Sequence, residues 1–246
     1  MIPQPIPATP LPDAPRPDAP QPDERLRPAL EALAAADLDI AEAYGRCGLP
    51  PERGSEPGFP GLIRMIAGQQ VSVPSARAII ARLEARVAPL TAEEFLKASD
   101  DDLRAAGFSR PKMKYGRILA VEIAGGGHDI DGLAGLDDEA AIAALTRVKG
   151  IGRWTAEIYL LFALGRPDVL PAGDLALCVA AQHLKKLEGR PDVRSMAALG
   201  EAWRPHRSAA ARFLWHLYRH PGVALGSSAS RGPRKSAASQ GRTGSG

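Results

Sequence analysis

The sequence predicts an all-α protein, and three observations carry that prediction. Apolar residues recur at three- and four-residue spacing, as in Ile142, Leu145 and Val148 and again in Trp154, Ile158, Leu161 and Phe162. Side chains that cap helix starts precede the periodic runs (Ser72, Thr91, Ser99, Asp137), and Gly107 and Gly125 close two of them. The alternation expected of strands is absent throughout.

Residues 1–24 alternate Pro with small and acidic residues, a composition with nothing to bury, and predict a disordered tail. The ordered core is expected over 25–225. Leu26, Leu30, Leu33 and Ala34, with Ile40 and Tyr44, predict a first helix or two ending near Gly45–Gly48, and the Pro- and Gly-rich stretch 50–60 predicts a loop. Phe59, Leu62, Ile63 and Ile66 form a helical face closed by Gly68, Gln69 and Gln70. Ser72 caps the next helix, with Pro74 in its first turn and Ile79, Ile80, Leu83 and Val87 as its buried stripe. Thr91 to Glu94 reads as a capping box, and Ser99 opens another short helix. Ser109 starts a long basic helix to Gly125, whose Lys112, Lys114 and Arg117 fit either a solvated face or phosphate contacts. Leu177, Ala180, Leu184 and Leu187 trace a helix after Asp174, and Ala209–Tyr218 trace the last one. From Gly226 to Gly246 the chain is Gly/Ser/Ala with basic residues and no acid, a flexible basic tail suited to weak, salt-sensitive attraction to polyanions.

Between the helices ending near Val148 and starting near Trp154, Gly150-Ile151-Gly152 predicts a sharp turn whose backbone closely approaches an external group. Unpaired amides and the positive dipole end of the second helix suit a phosphate, with Lys149 and Arg153 adding charge. Many such turns only connect helices. Here Leu170-Pro171-Ala172-Gly173-Asp174 follows, and the combination resembles the helix-hairpin-helix DNA glycosylase superfamily, most closely its 3-methyladenine DNA glycosylase II (AlkA) type. Gly68-Gln69-Gln70-Val71-Ser72-Val73 and Trp203-Arg204-Pro205-His206-Arg207-Ser208 are similar to further family passages, so the resemblance spans roughly 26–225. It implies two helical lobes, one formed mainly by about 60–170, flanking a DNA-binding cleft. The AlkA type usually carries an N-terminal α/β domain; a Pro-rich stretch stands in its place here, implying a more open site.

The resemblance implies a role for each motif. Asp174 is the catalytic carboxylate, although an Asp at a helix start is commonly only a cap. Trp154, Ile158, Leu175 and His206 line the substrate pocket, Trp154 stacking on a cationic base or serving simply as core. Gln69, Gln70, Lys149, Gly150, Gly152 and Arg153 contact DNA, and Gln70 occupies the position of the plug that fills the gap left by an everted nucleotide, where a polar helix end is the plain alternative. Backbone carbonyls of Thr146, Val148 and Ile151 hold a structural Na+ or K+. The lysine of strand-cutting relatives is matched by Trp154, which forms no Schiff base.

The implied activity is hydrolytic excision of alkylated purines, 3-methyladenine and 7-methylguanine among them, from double-stranded DNA. A cationic purine departs without protonation, so one carboxylate suffices, whereas O-glycosidases commonly use two. A non-enzymatic DNA-binding module and a glycosylase for oxidised or mispaired bases are the alternatives. Two cysteines, Cys47 and Cys178, exclude a four-cysteine iron–sulfur cluster and a zinc finger, and no catalytic cofactor is expected. A formal charge of +3 over 246 residues with a pI near 9.0 is compatible with a polyanionic partner without demanding one. No apolar run reaches membrane-spanning length. The expectation is a cytoplasmic monomer, nucleoid-associated while working.

Overall fold

The computed structural model describes residues 21–220, so most of the expected N-terminal tail and the whole expected basic tail lie outside the described residues. Twelve α-helices fill that range: α1 (Arg27–Ala36), α2 (Leu38–Cys47), α3 (Gly58–Gly68), α4 (Val73–Glu84), α5 (Ala92–Lys97), α6 (Asp100–Ala106), α7 (Arg110–Ala124), α8 (Asp138–Thr146), α9 (Arg153–Phe162), α10 (Leu175–Leu184), α11 (Val193–Gly200) and α12 (Arg207–Arg219). The only extended pairing among the described residues is an isolated bridge between Pro22 and Pro51.

Two buried apolar clusters divide the helices. One gathers α3–α8 around Phe59, Leu62, Ile63, Phe95, Leu119 and Leu145. The other joins the two chain ends, packing Leu30, Leu33 and Ile40 of α1 and α2 against Leu177, Trp203, Phe213 and Leu217 of the C-terminal segment. Helix α9 belongs to both, with Ala156, Tyr159 and Leu160 in the first cluster and Ile158, Leu161 and Phe162 in the second. Buried on nearly all sides past its first turn, α9 is the shared wall of the two lobes. The Tyr159 hydroxyl, lodged inside, accepts the Gly58 amide at 2.7 Å and ties α9 to the start of α3.

Several local expectations shift for identifiable reasons. The N-terminal tail ends earlier than residue 24: Asp23 is 2% exposed and forms an ion pair with Arg212 of α12 at 2.6 Å. Thr91 caps α5 alone, because Glu94 pairs with Lys97, while the complete capping box is Ser99 with Asp102. Two basic side chains of α7 have structural duties: Lys112 Nζ donates to the Ala67 carbonyl at 2.7 Å, and Arg117 donates to the Leu96 and Ala98 carbonyls and to Asp100. Leu187 lies past the end of α10, and α11 is a helix the apolar periodicity did not mark, opened by Asp192 accepting from Ser195 N at 2.7 Å.

Hydrogen bonding from Arg25, with the charge of Arg212, holds Asp23 below the usual carboxylate range against the opposing effect of burial. A depressed folded-state pKa contributes stability above the unfolded value of about 3.9, and that contribution disappears as pH falls through the folded value. Asp23→Asn is therefore expected to lose about 2 kcal/mol at pH 7 and to narrow the gap to the native protein below pH 3, as read by urea denaturation at both pH values.

Candidate active site and nucleic-acid interface

Asp174 stands at the start of α10, where Oδ1 accepts the Leu177 amide at 3.0 Å as an N-cap. Two indoles complete its environment. Trp154 Nε1 donates to Oδ2 at 2.9 Å and Trp215 Nε1 to Oδ1 at 3.2 Å. Three donors arriving from α9, α10 and α12 fix the carboxylate in position and orientation. A carboxylate offers about four lone-pair sites, so at least one remains for a reacting group.

The loop before Asp174 is held by the Trp203–Ser208 passage. Asp168 takes Arg204 Nη1 at 2.5 Å and Arg207 Nε at 2.9 Å, and the Ser208 hydroxyl donates to the Arg166 carbonyl at 2.6 Å while accepting the Val169 amide at 2.9 Å. Trp203 is buried and its Nε1 reaches Asp37 at 3.3 Å, joining the passage to α2. This motif therefore acts through the backbone of 166–173, setting where Asp174 emerges.

Trp154 is 46% exposed and Leu175 59% exposed, so two large apolar side chains flank the carboxylate at the surface. Behind them, Ile158 is buried in the same cluster as Phe162 and Trp215, whose rings stack at 5.6 Å between centroids and 28° between planes. The indole on α12 that meets Asp174 is Trp215, which the sequence reading did not name. His206 is the N-cap of α12 and lies nine positions before Trp215, about 13 Å along the helix axis. The aromatic wall beside Asp174 comes from the second half of α12, and Phe162 contributes from α9. A buried indole needs an acceptor for its N–H, and Asp174 is the acceptor for Trp215.

The hairpin between α8 and α9 has the expected form. Gly150 adopts φ +102°, and a Cβ there would lie 2.5 Å from Tyr115 Cγ. Gly152 differs: a Cβ at this position would meet nothing within 4 Å, so no neighbour in the fold demands glycine there. Because α9 has no side-chain cap, its first amides lie open beside this smooth surface, as an incoming anion requires. Lys149 is exposed next to the turn. Arg153 carries ion pairs within the hairpin. Its guanidinium pairs with Glu139 at 2.5 Å and Glu157 at 2.9 Å, which raise its pKa further, and it borders a cavity of about 460 Å3 that Trp154, Gly173 and Arg207 also line.

Gln69 Nε2 donates to the Gly150 carbonyl at 3.2 Å, locking the α3–α4 turn to the hairpin. Its neighbour Gln70 is exposed and takes φ +55°, a left-handed conformation that costs a non-glycine residue about 1 kcal/mol or more. Val71 and Val73 beside it are exposed apolar residues. A strained, protruding tip anchored through Gln69 thus stands beside the hairpin.

Residues 63–205 match the family model described as HhH-GPD superfamily base excision DNA repair protein. The chain belongs to this superfamily. The DNA-3-methyladenine glycosylase 1 of Schizosaccharomyces pombe is 35% identical over 158 residues, covering 63% of this chain and 69% of that protein. A structure of the 3-methyladenine DNA glycosylase from the same yeast, in complex with abasic DNA, shares the fold with a TM-score of 0.69 and 31% identity over 79% of this chain and 98% of that one. The DNA-3-methyladenine glycosidase of Bacillus halodurans gives 0.68 and 32% over 78% and 89%. In this chain α9 starts at the hairpin turn, and its first turn carries Trp154 to Asp174.

Paired substitutions separate the two hairpin glycines. Gly150→Ala is expected to destabilise the fold by about 2 kcal/mol or more in thermal melting, from its left-handed backbone and the Tyr115 clash. Gly152→Ala should melt like the native protein and bind duplex DNA more weakly in an anisotropy titration. At the tip, Gln70→Gly is expected to stabilise slightly while slowing base release, a combination visible only when melting and single-turnover kinetics are measured together.

Proposed function

We propose that this protein is a monofunctional DNA glycosylase that everts alkylated purines such as 3-methyladenine and 7-methylguanine from double-stranded DNA and hydrolyses their N-glycosyl bond, leaving an abasic site. The observation that carries this reading is a single carboxylate, held by three N–H donors from three helices, beside an exposed tryptophan and a phosphate-suited hairpin. The names of the HhH-GPD relatives agree with it.

The mechanism follows from the charges. Breaking the glycosidic bond develops positive charge on the deoxyribose, and the Asp174 carboxylate stabilises it and orients the attacking water. Its indole and amide donors keep the oxygens aimed without reorganisation during reaction. Exposed Trp154 offers a π face to the everted base, most favourably to a cationic one. Hairpin amides with Lys149 grip the backbone, while Gln70 at its protruding tip enters the stack where the base has left. The base leaves with the bonding electron pair and water supplies the hydroxyl at the sugar, with Trp154 where a lyase would carry lysine. A bound Na+ or K+ would sit on the Thr146, Val148 and Ile151 carbonyls, which border one turn, the Val148 carbonyl also accepting the Ile151 amide at 3.0 Å. Among the described residues no helix is long and apolar enough to cross a membrane. The enzyme acts as a monomer where the DNA is, in a cytoplasm with its nucleoid.

Asp174→Asn should reduce release of methylated purines from duplex DNA by at least about a hundredfold while leaving DNA affinity within a few-fold, as measured by mass spectrometry of freed bases and by anisotropy. Native protein that binds such DNA and frees no base would instead establish a binding module, and borohydride trapping of a covalent adduct would contradict the monofunctional assignment.

A further inference from the structure

The loop between α2 and α3 brings a cation to the aromatic wall. Arg53 is anchored on both sides through backbone groups: the Ser55 amide donates to the Phe162 carbonyl at 3.1 Å, and Arg212 Nη2 donates to the Arg53 carbonyl at 3.1 Å. The Arg53 guanidinium lies 4.5 Å from the Phe162 ring centroid. Phe162 stacks on Trp215, and Trp215 donates to Asp174. Arg53 is thus linked to the carboxylate through two aromatic side chains.

Its surroundings set it apart from the other arginine on that ring. Arg212, 5.6 Å from the same centroid, is paired with buried Asp23. Arg53 forms no salt bridge among the described residues, although its side chain reaches the surface. Desolvation and the like charges of Arg219 and Arg212 push its pKa below the ordinary guanidinium value, with Asp174 pulling the other way. A guanidinium nonetheless stays protonated at working pH. A positive charge without an ion pair among the described residues therefore rests on the aromatic pair that meets Asp174.

Resting on the glycosylase reading above, we propose that Arg53 sets lesion specificity, disfavouring bases that arrive as cations and favouring neutral lesions whose base departs as an anion. The two classes respond oppositely for a simple reason. When the bond between the sugar and a neutral purine such as hypoxanthine breaks, the electron pair leaves with the base, which becomes anionic until water protonates it. Water adds its oxygen to the sugar carbon and loses a proton. Arg53 stabilises the developing negative charge. A 7-methylguanine enters positively charged and becomes neutral as it leaves, so the same guanidinium repels its bound state. The cation offsets part of the preference that Asp174 and Trp154 give to charged purines.

The test compares single-turnover release of 7-methylguanine and of hypoxanthine from otherwise identical duplexes by the native protein, Arg53→Gln and Arg53→Lys. Arg53→Gln should raise the 7-methylguanine-to-hypoxanthine rate ratio by about tenfold, while Arg53→Lys stays within about threefold of native. An unchanged ratio in Arg53→Gln, including a parallel fall in both rates, would overturn the assignment while leaving the glycosylase reading intact. Failure of the native protein to release either base would overturn both. A second readout uses free bases: inhibition by a permanently cationic dimethylguaninium, relative to that by neutral hypoxanthine, should strengthen in Arg53→Gln, and an unchanged relative inhibition would also defeat the proposal.

Discussion

The position of one carboxylate depends on hydrogen bonds that come from three different helices. Trp154 reaches Asp174 from the first turn of α9, Trp215 from the second half of α12, and the Leu177 amide from α10 itself. Each donor is fixed only if its helix is fixed. The buried clusters on the two sides of α9 provide that, because a helix enclosed by both lobes cannot shift without disturbing both. Local chemistry at Asp174 is thereby set by packing across the whole molecule.

The same helix connects two functions that need to be coordinated. Its N-terminus emerges from the hairpin turn, and its first turn carries Trp154 to the carboxylate. Gln69 extends this unit to the α3–α4 turn by donating to the Gly150 carbonyl. Backbone grip, strained tip and carboxylate thus share a rigid frame, which is the arrangement that preorganised electrostatic stabilisation requires. Arg153 also has a structural part. Its ion pairs with Glu139 and the buried Glu157 join α8 to α9, so it stiffens the hairpin.

Much of this was legible along the chain. Helix periodicity and caps located most elements, since burial of one helical face and satisfaction of end amides are local requirements written in local residues. Gly150 and Asp174 stood out for similar reasons, one by conformation and one by its place after the turn. The less legible parts involve partners distant in sequence. His206 sits in a passage whose charged and hydroxyl groups brace the loop at Asp168, and the indole that reaches Asp174 from α12 is Trp215, which nothing local in the last helix singles out. Arg53 carried no signal at all, lying in a Pro- and Gly-rich loop whose path is set by contacts with α9 and α12.

By itself the sequence determined the helical class, the hairpin turn and the aspartate that follows it, because periodicity, glycine conformation and helix capping act within a few residues. Only the tertiary structure decided which aromatic rings meet that aspartate, which basic side chains form ion pairs and which one rests on those rings without one among the described residues. Those outcomes depend on distances between residues such as Arg53, Phe162, Asp174 and Trp215, set by the packing of helices from both ends of the chain.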